Sequence, residues 1–509
     1  LAGTSVEGAN VPRPSVWLSA KLWMPLTLVA ITGLLFRRVP FNNENIYLLA
    51  IRHFWQPDPA NWTYGVRWTE HLLFNATLGA LAQVVPLTAL AWAGRIVSWA
   101  LVLAGLFRIG RRLDVAPPLI ALSILLWIGT GQQLAGFEWI FQSFEAKVPA
   151  YACLFFAIDA FIGGRMRAAG VLLGCCFSLH PGVGFSAFWC FGTTLIAMRP
   201  PARVWREVLV PAALCGLPGI MSALLVSHAA TASDPLAWRF VTFQALPRHF
   251  NVSDFSQKSF AALVLLLLLV WRAARAERGH AGLSVVFSLL AGLGVLFLLG
   301  IAAFEAERFA WLQVFPFRVF PLLLPLFGLL VAARQLTVAR RGPGEFVTPA
   351  LALLAVISLG NPLPILREEL ALSVGSWSAT DDLDAAMRWT RDHAPADAVV
   401  ALPPDRKDGD WVTGRATVVS WWAVPYDRLA EWIARLEDLL GPIDRTSTRV
   451  PARGELLGRF NGRPQAELEP ALRRQRATLL VSAGRYTFPV LYEVGSWRVY
   501  DLGALRKDK

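Results

Sequence analysis

Apolar runs approaching twenty residues recur along the first 360 positions, separated by short basic turns. A helix that crosses a bilayer needs about 20 mostly apolar residues. The candidate spans are 16–36, 88–109, 115–131, 148–163, 168–180, 183–198, 207–227, 259–273, 282–303, 318–333 and 346–360. A soluble protein of 509 residues needs far more polar surface than a chain 55% hydrophobic, with mean hydropathy +0.47, provides. The 21 tryptophans suit rings held at membrane interfaces. The pattern predicts a mainly α, polytopic membrane protein of about 11 spans.

The loops set the orientation. Arg108, Arg111 and Arg112, then Arg165 and Arg167, then Arg199, Arg203 and Arg206 fall in short turns. Arg272, Arg275 and Arg278, then Arg334, Arg340 and Arg341 continue the set. Short basic loops face the cytoplasm. The longer loops 132–147, 228–258 and 304–317 therefore face outward. The run 71–93 is apolar enough to cross, but a crossing there would invert every later loop. It reads instead as surface-lying helix within one structured outer loop, 37–87. Arg37 and Arg38 end the first span on that outer side, against the general rule.

Residues 1–375 form the membrane domain on this reading, and polarity rises sharply over 376–509. DLDAAMRWTRDH and YDRLAEWIARLEDLLG have helical periodicity. VVALPP, RATVVSWW, ATLLVSAG, FPVLYEV and SWRVYDL read as strands. An odd number of spans places this C-terminal α/β domain outside the cytoplasm. The net charge of +12 belongs to membrane topology and anionic lipid, and no nucleic-acid motif accompanies it. All five cysteines lie in apolar runs, with no disulfide framework and no metal-ligand spacing. No metal site is expected.

Charges that edge into an apolar zone are costly and tend to line cavities. Four outer clusters qualify. NNENIY and the stretch after it offer Glu44 with Asn43 and Asn45, then Glu70 and His71; Asp58, between two prolines, fits a turn. FEAKVPAY carries Glu145 and Lys147, which would not face each other on one helix. SLHPGVG places His180 beside proline and two glycines. FPFRVF brings Arg318 into the tenth span from outside, with a planar fork suited to phosphate. A carboxylate beside such cations could deprotonate an acceptor hydroxyl while the cations hold a lipid-linked sugar phosphate.

NENIYLL, NWTYG with EHLLFN, FEAKVPAY, SLHPGVG, FPFRVF and VVSWWAVPYDRLAEWIARLEDLLG together resemble a bacterial group within or beside the GT-C superfamily. These are multi-span glycosyltransferases that use polyprenyl-phosphate sugars. The resemblance implies a bacterial inner-membrane enzyme acting at the outer face, with a polyprenyl-phosphate-linked sugar as donor and a lipid or envelope acceptor. It implies Glu44 as the catalytic first-loop acid, ahead of Asp58 or Glu70; the outer clusters offer Asn43, Asn45, Glu70, His71, Glu145, Lys147, His180 and Arg318 as substrate-binding residues. The superfamily's first loop often carries an acid pair, and a lone Glu44 among asparagines stands here. A non-catalytic subunit of a larger membrane complex is the alternative.

Overall fold

The computed structural model describes residues 19–63, 70–231, 234–338, 367, 370–372 and 381–503. In chain order its membrane part comprises α1 (Ala20–Leu34), α2 (Glu44–His53), α3 (Leu72–Leu81), α4 (Leu87–Arg112), α5 (Pro117–Gly129), α6 (Lys147–Ile162), α7 (Met166–Leu179), α8 (Pro181–Met198) and α9 (Ala202–Thr231). Then follow α10 (Pro235–Phe240), a π-helical turn (Val241–Ala245), α11 (Pro247–Phe250), α12 (Gln257–Ala276), α13 (Ala281–Glu305) and α14 (Val319–Val338). Helices occupy the first ten expected spans, and 346–360 lies outside the described residues.

Among the described residues, six helices are long and apolar enough to cross a bilayer: α4, α8, α9 over Ala202–Leu225, α12, α13 and α14 over Val319–Thr337. The chain is a multi-pass membrane protein. α1, α5, α6 and α7 have 15, 13, 16 and 14 residues. At 1.5 Å per residue they extend only about 20–24 Å, short of a hydrocarbon core of about 30 Å. Pro181 stops α7 and begins α8, so the break at His180 ends one short helix and starts a long one. α3 is ten residues long and a turn separates it from α4, so 71–93 does not form one crossing helix.

Small residues let helices close on each other where lipid gives no hydrophobic drive between them. A Cβ on Gly170 would meet the Val208 carbonyl oxygen at 2.3 Å, and one on Gly174 the Ala212 carbonyl oxygen at 2.6 Å. The GxxxG spacing of α7 thus seats it on α9. Buried Asp159 of α6 ties together the basic ends of α4 and α6. It accepts from Arg108 Nε at 2.8 Å, Arg112 Nε at 3.0 Å and Arg165 at 2.6 Å.

The C-terminal part contains α15 (Asp382–His393), β1 (Val399–Ala401), α16 (Gly409–Thr413), β2 (Ala416–Thr417), α17 (Leu429–Leu440), α18 (Arg453–Asn461), α19 (Gln465–Arg474), β3 (Leu479–Ser482), β4 (Val490–Val494) and β5 (Trp497–Asp501). The sheet order is β2-β1-β3-β5-β4, with β1 parallel to β2 and β3, and β5 antiparallel to β3 and β4. Alternation along the strands builds two apolar faces. Val400, Val481 and Val499 meet Leu383, Ala386 and Met387 of α15. Ala401, Leu480 and Tyr500 join the core of Trp432, Leu436, Phe460 and Leu472 from α17–α19. That second core continues into the membrane part: Phe240 of α10 lies 5.4 Å from the Trp421 ring and 5.6 Å from the Trp432 ring.

Candidate functional site

A cavity of about 600 Å³ opens where the 37–87 loop, the α7–α8 turn, the 244–249 segment, the start of α14 and the C-terminal part meet. Of the residues expected in a site, Asn43, Glu70, His71, His180 and Arg318 line it; Glu44, Asn45, Glu145 and Lys147 do not.

Glu44 lies outside this cavity. Its side chain is wholly buried at the start of α2, with Arg95 of α4 fully buried against it. Arg95 Nε donates to Oε1 at 2.7 Å and its NH2 donates to Oε2. The backbone N–H of Phe144 donates to Oε1 at 2.7 Å and that of Phe41 to Oε2 at 3.0 Å. Four donors saturate the carboxylate, and the pair clamps the 37–87 loop to α4. Arg95 NH1 also donates to the Arg37 carbonyl at 2.7 Å, which holds the segment after α1 against α4.

The asparagines differ in role. Asn43 precedes α2 with no side-chain cap bond and faces the cavity. Buried Asn45 donates to the Lys407 carbonyl and so contacts the C-terminal part, outside the cavity lining. Lys407 Nζ returns a bond to Asn42 Oδ1 at 3.0 Å. Asp58 accepts from the Ala60 N–H at 3.0 Å and forms a turn.

Glu145 and Lys147 meet because Glu145 lies before α6 and Lys147 begins it. Lys147 Nζ is 2.6 Å from Glu138 Oε1 and 3.2 Å from Glu145 Oε2, and stands 3.8 Å over the Trp139 ring. Glu145 Oε1 also accepts from Ser143 at 2.6 Å and Trp139 Nε1 at 3.2 Å. All three charged groups are buried. They support the site from behind: Glu138 Oε2 lies 3.5 Å from Arg318 Nε, and Arg318 carries the network to the cavity. Its guanidinium rests 3.5 Å above the Phe315 ring.

His71 and His180 stack with centroids 4.5 Å apart, and Tyr47 stacks on His71 at 5.4 Å. Burial, then Arg318, pushes His71 down to about 3, so it is neutral at physiological pH. His71, Phe137 and Phe315 hold left-handed backbone conformations at φ 56°, 51° and 53°. All three line the cavity. Each such residue costs on the order of 1–3 kcal/mol, and strain of this kind collects at ligand sites.

Sequence reasoning passed over Arg248, His249, Lys407, Trp421, Trp422 and Tyr426, which also line the cavity. Arg248 lies 4.8 Å over Phe137, and Lys407 4.3 Å over Trp422. Burial lowers Lys407 to about 8. The π-turn before His249 was one available signal, since such turns favour functional sites, but it is visible only in the fold. The charge balance is cationic. Arg248, Arg318, Lys407 and Arg453 face Glu70 and Asp405, and Arg453 is held by Asp405 at 2.9 Å. Among the described residues, no group of three or more His, Cys, Asp or Glu is placed to hold a metal ion.

The wall is apolar on the α7–α9 side, where Phe177, Phe185, Ala223 and Leu224 line it. Leu224 is 63% exposed and belongs to the last turn of the apolar window of α9. The cavity therefore opens beside an exposed apolar residue at the end of a helix long and apolar enough to cross a bilayer.

Residues 381–439 match a family model described as a domain of unknown function (DUF6798). No curated protein matches the chain. Among solved structures, the chain is similar to the archaeal oligosaccharyltransferase AglB from Archaeoglobus fulgidus, solved with an inhibitory peptide and a dolichol-phosphate. Identity is 11% and the TM-score 0.49, over 91% of this chain and 69% of that one.

Proposed function

We propose that the protein is a GT-C-type membrane glycosyltransferase that moves a sugar from a polyprenyl-phosphate donor to a lipid or envelope acceptor. The proposal places the reaction at the outer face of a bacterial inner membrane, with the C-terminal part extracytoplasmic. One observation carries it: a cavity lined by Arg248, Arg318 and Lys407 and also by apolar residues of α7–α9, of which Leu224 is exposed at the end of α9. A phosphate with a long apolar tail matches both groups. Arg318, backed by Glu138 and Lys147, would hold the phosphate, with Arg248 and Lys407 adding charge.

Glu70 is the lining carboxylate of the outer loop and takes the role of base in place of Glu44. In the proposed step the acceptor hydroxyl gives its proton to Glu70. Its oxygen bonds the sugar C1, and the C1–O bond to phosphate breaks with its electron pair left on the phosphate. Arg318 stabilises that charge. The saturation of Glu44 favours a second reading, a lipid-binding subunit without turnover. The deciding experiment is Glu70→Gln with a radiolabelled polyprenyl-phosphoryl sugar and a membrane extract as acceptor. Glycosyl transfer should fall about 100-fold or more while donor binding persists. Donor binding without transfer in the wild-type protein would support the subunit reading instead.

A further inference from the structure

Two imidazoles of the cavity are fixed with opposite hydrogen-bonding polarity. His180 closes the turn into α8, and the Val183 N–H donates to its Nδ1 at 3.2 Å. That nitrogen carries the lone pair, so in the neutral ring the hydrogen is on Nε2. His249 Nδ1 lies 3.1 Å from the Gly136 carbonyl oxygen. A carbonyl only accepts, so the hydrogen is on Nδ1 and Nε2 holds the lone pair. Burial, then Arg318, holds His249 well below the usual imidazole range, and the ring keeps that lone pair at physiological pH.

The backbone enforces the second arrangement. Gly136 has φ +81°, and a Cβ there would meet the Phe317 carbonyl oxygen at 2.0 Å. Only glycine lets the 136 segment seat on the residue next to Arg318 while its own carbonyl points at His249. Phe315 joins the groups: Arg318 lies over its ring, His249 meets it edge-on at 6.2 Å, and Gly182 of the His180 turn packs close to both Phe315 and His180.

We infer that the cavity holds a hydroxyl-recognition subsite beside its phosphate site, in which His249 Nε2 accepts from a sugar hydroxyl while His180 Nε2–H and Arg318 donate to the phosphate. The inference rests on the proposed phosphate-binding role of the cavity. It adds that His249 discriminates a glycosylated lipid phosphate from a bare one. A buried acceptor left unpaired by a ligand lacking the hydroxyl costs affinity, and that difference is the source of selectivity.

The test measures equilibrium binding of farnesyl phosphate and farnesyl-phosphoryl glucose to the full chain in detergent micelles. Wild-type protein should bind the glucosyl probe roughly 10- to 100-fold more tightly. His249→Phe should erase that difference and leave farnesyl phosphate binding unchanged, and His249→Gln, which keeps an acceptor, should restore much of it. Arg318→Gln should weaken both probes. Equal wild-type affinities overturn the hydroxyl subsite whether or not any variant folds. Equal weakening of both probes by His249→Phe also overturns it, while the phosphate site stands. Binding of neither probe by the wild type, or no loss with Arg318→Gln, overturns the phosphate site and the inference together.

Discussion

Glu44→Gln separates a clamp from a base. In the native fold Glu44 and Arg95 have no exposed side-chain surface, and the carboxylate accepts four hydrogen bonds. Glutamine retains one acceptor oxygen and turns an NH2 group toward donors that were previously paired. Breaking a buried ion pair from one side costs about 3–5 kcal/mol, because the remaining charge stays buried. Folded proteins are stable by only about 5–15 kcal/mol, so the loss is a large share. Denaturant unfolding in detergent micelles, followed by tryptophan fluorescence, should show a clearly lower midpoint. Transfer per folded molecule should be close to wild type. The double variant Glu44→Gln with Arg95→Met should recover part of the loss, since it removes the stranded guanidinium. An unchanged midpoint together with lost transfer would refute the clamp and return Glu44 to the chemistry.

Two further outcomes follow from the contacts of the C-terminal part. Burial raises the Asp410 carboxyl from its usual range to about 6. Between the unfolded value near 4 and about 6 the folded form holds a proton that the unfolded form lacks, so the ionised group disfavours folding as pH rises through 6. Asp410→Asn should therefore raise the unfolding midpoint at pH 7.5 more than at pH 5; an equal gain at both would rule out the titration. Trp62 is flanked by the Arg428 and Arg435 guanidiniums at 4.8 and 4.6 Å, and its carbonyl accepts from Arg428 at 3.1 Å. Trp62→Leu should weaken the hold of the outer loop on α17 by about 1–2 kcal/mol, seen as faster limited proteolysis of the loop; unchanged cleavage would contradict that contact.

The helices were legible because membrane physics writes them as apolar runs, and the strands because β1, β3, β4 and β5 alternate or run apolar between turn residues. The charged helices α18 and α19 were missed, since their buried stripe is only Leu456 and Phe460, then Leu468, Ala471 and Leu472. His180 and Arg318 stood out by chemistry, as polar groups within apolar sequence, and both reach the cavity. Glu44 stood out for the same reason but lies outside the cavity, paired with Arg95. Its partner Arg95 is 51 positions away in a run read only as a span, and pairing at that distance leaves no local signal. Lys407, Arg248 and His249 look like ordinary loop residues until the fold brings 42, 136, 249, 318 and 407 to one place.

A lipid phosphate held by Arg318 would leave a direct trace. The most direct measurement is an electron cryo-microscopy map of the protein in nanodiscs with undecaprenyl phosphate. Phosphate density should lie within hydrogen-bonding distance of the Arg318 guanidinium, with the tail leaving past Phe177 and Leu224. Ordered lipid phosphate elsewhere, with the cavity around Arg318 holding only water, would contradict that placement.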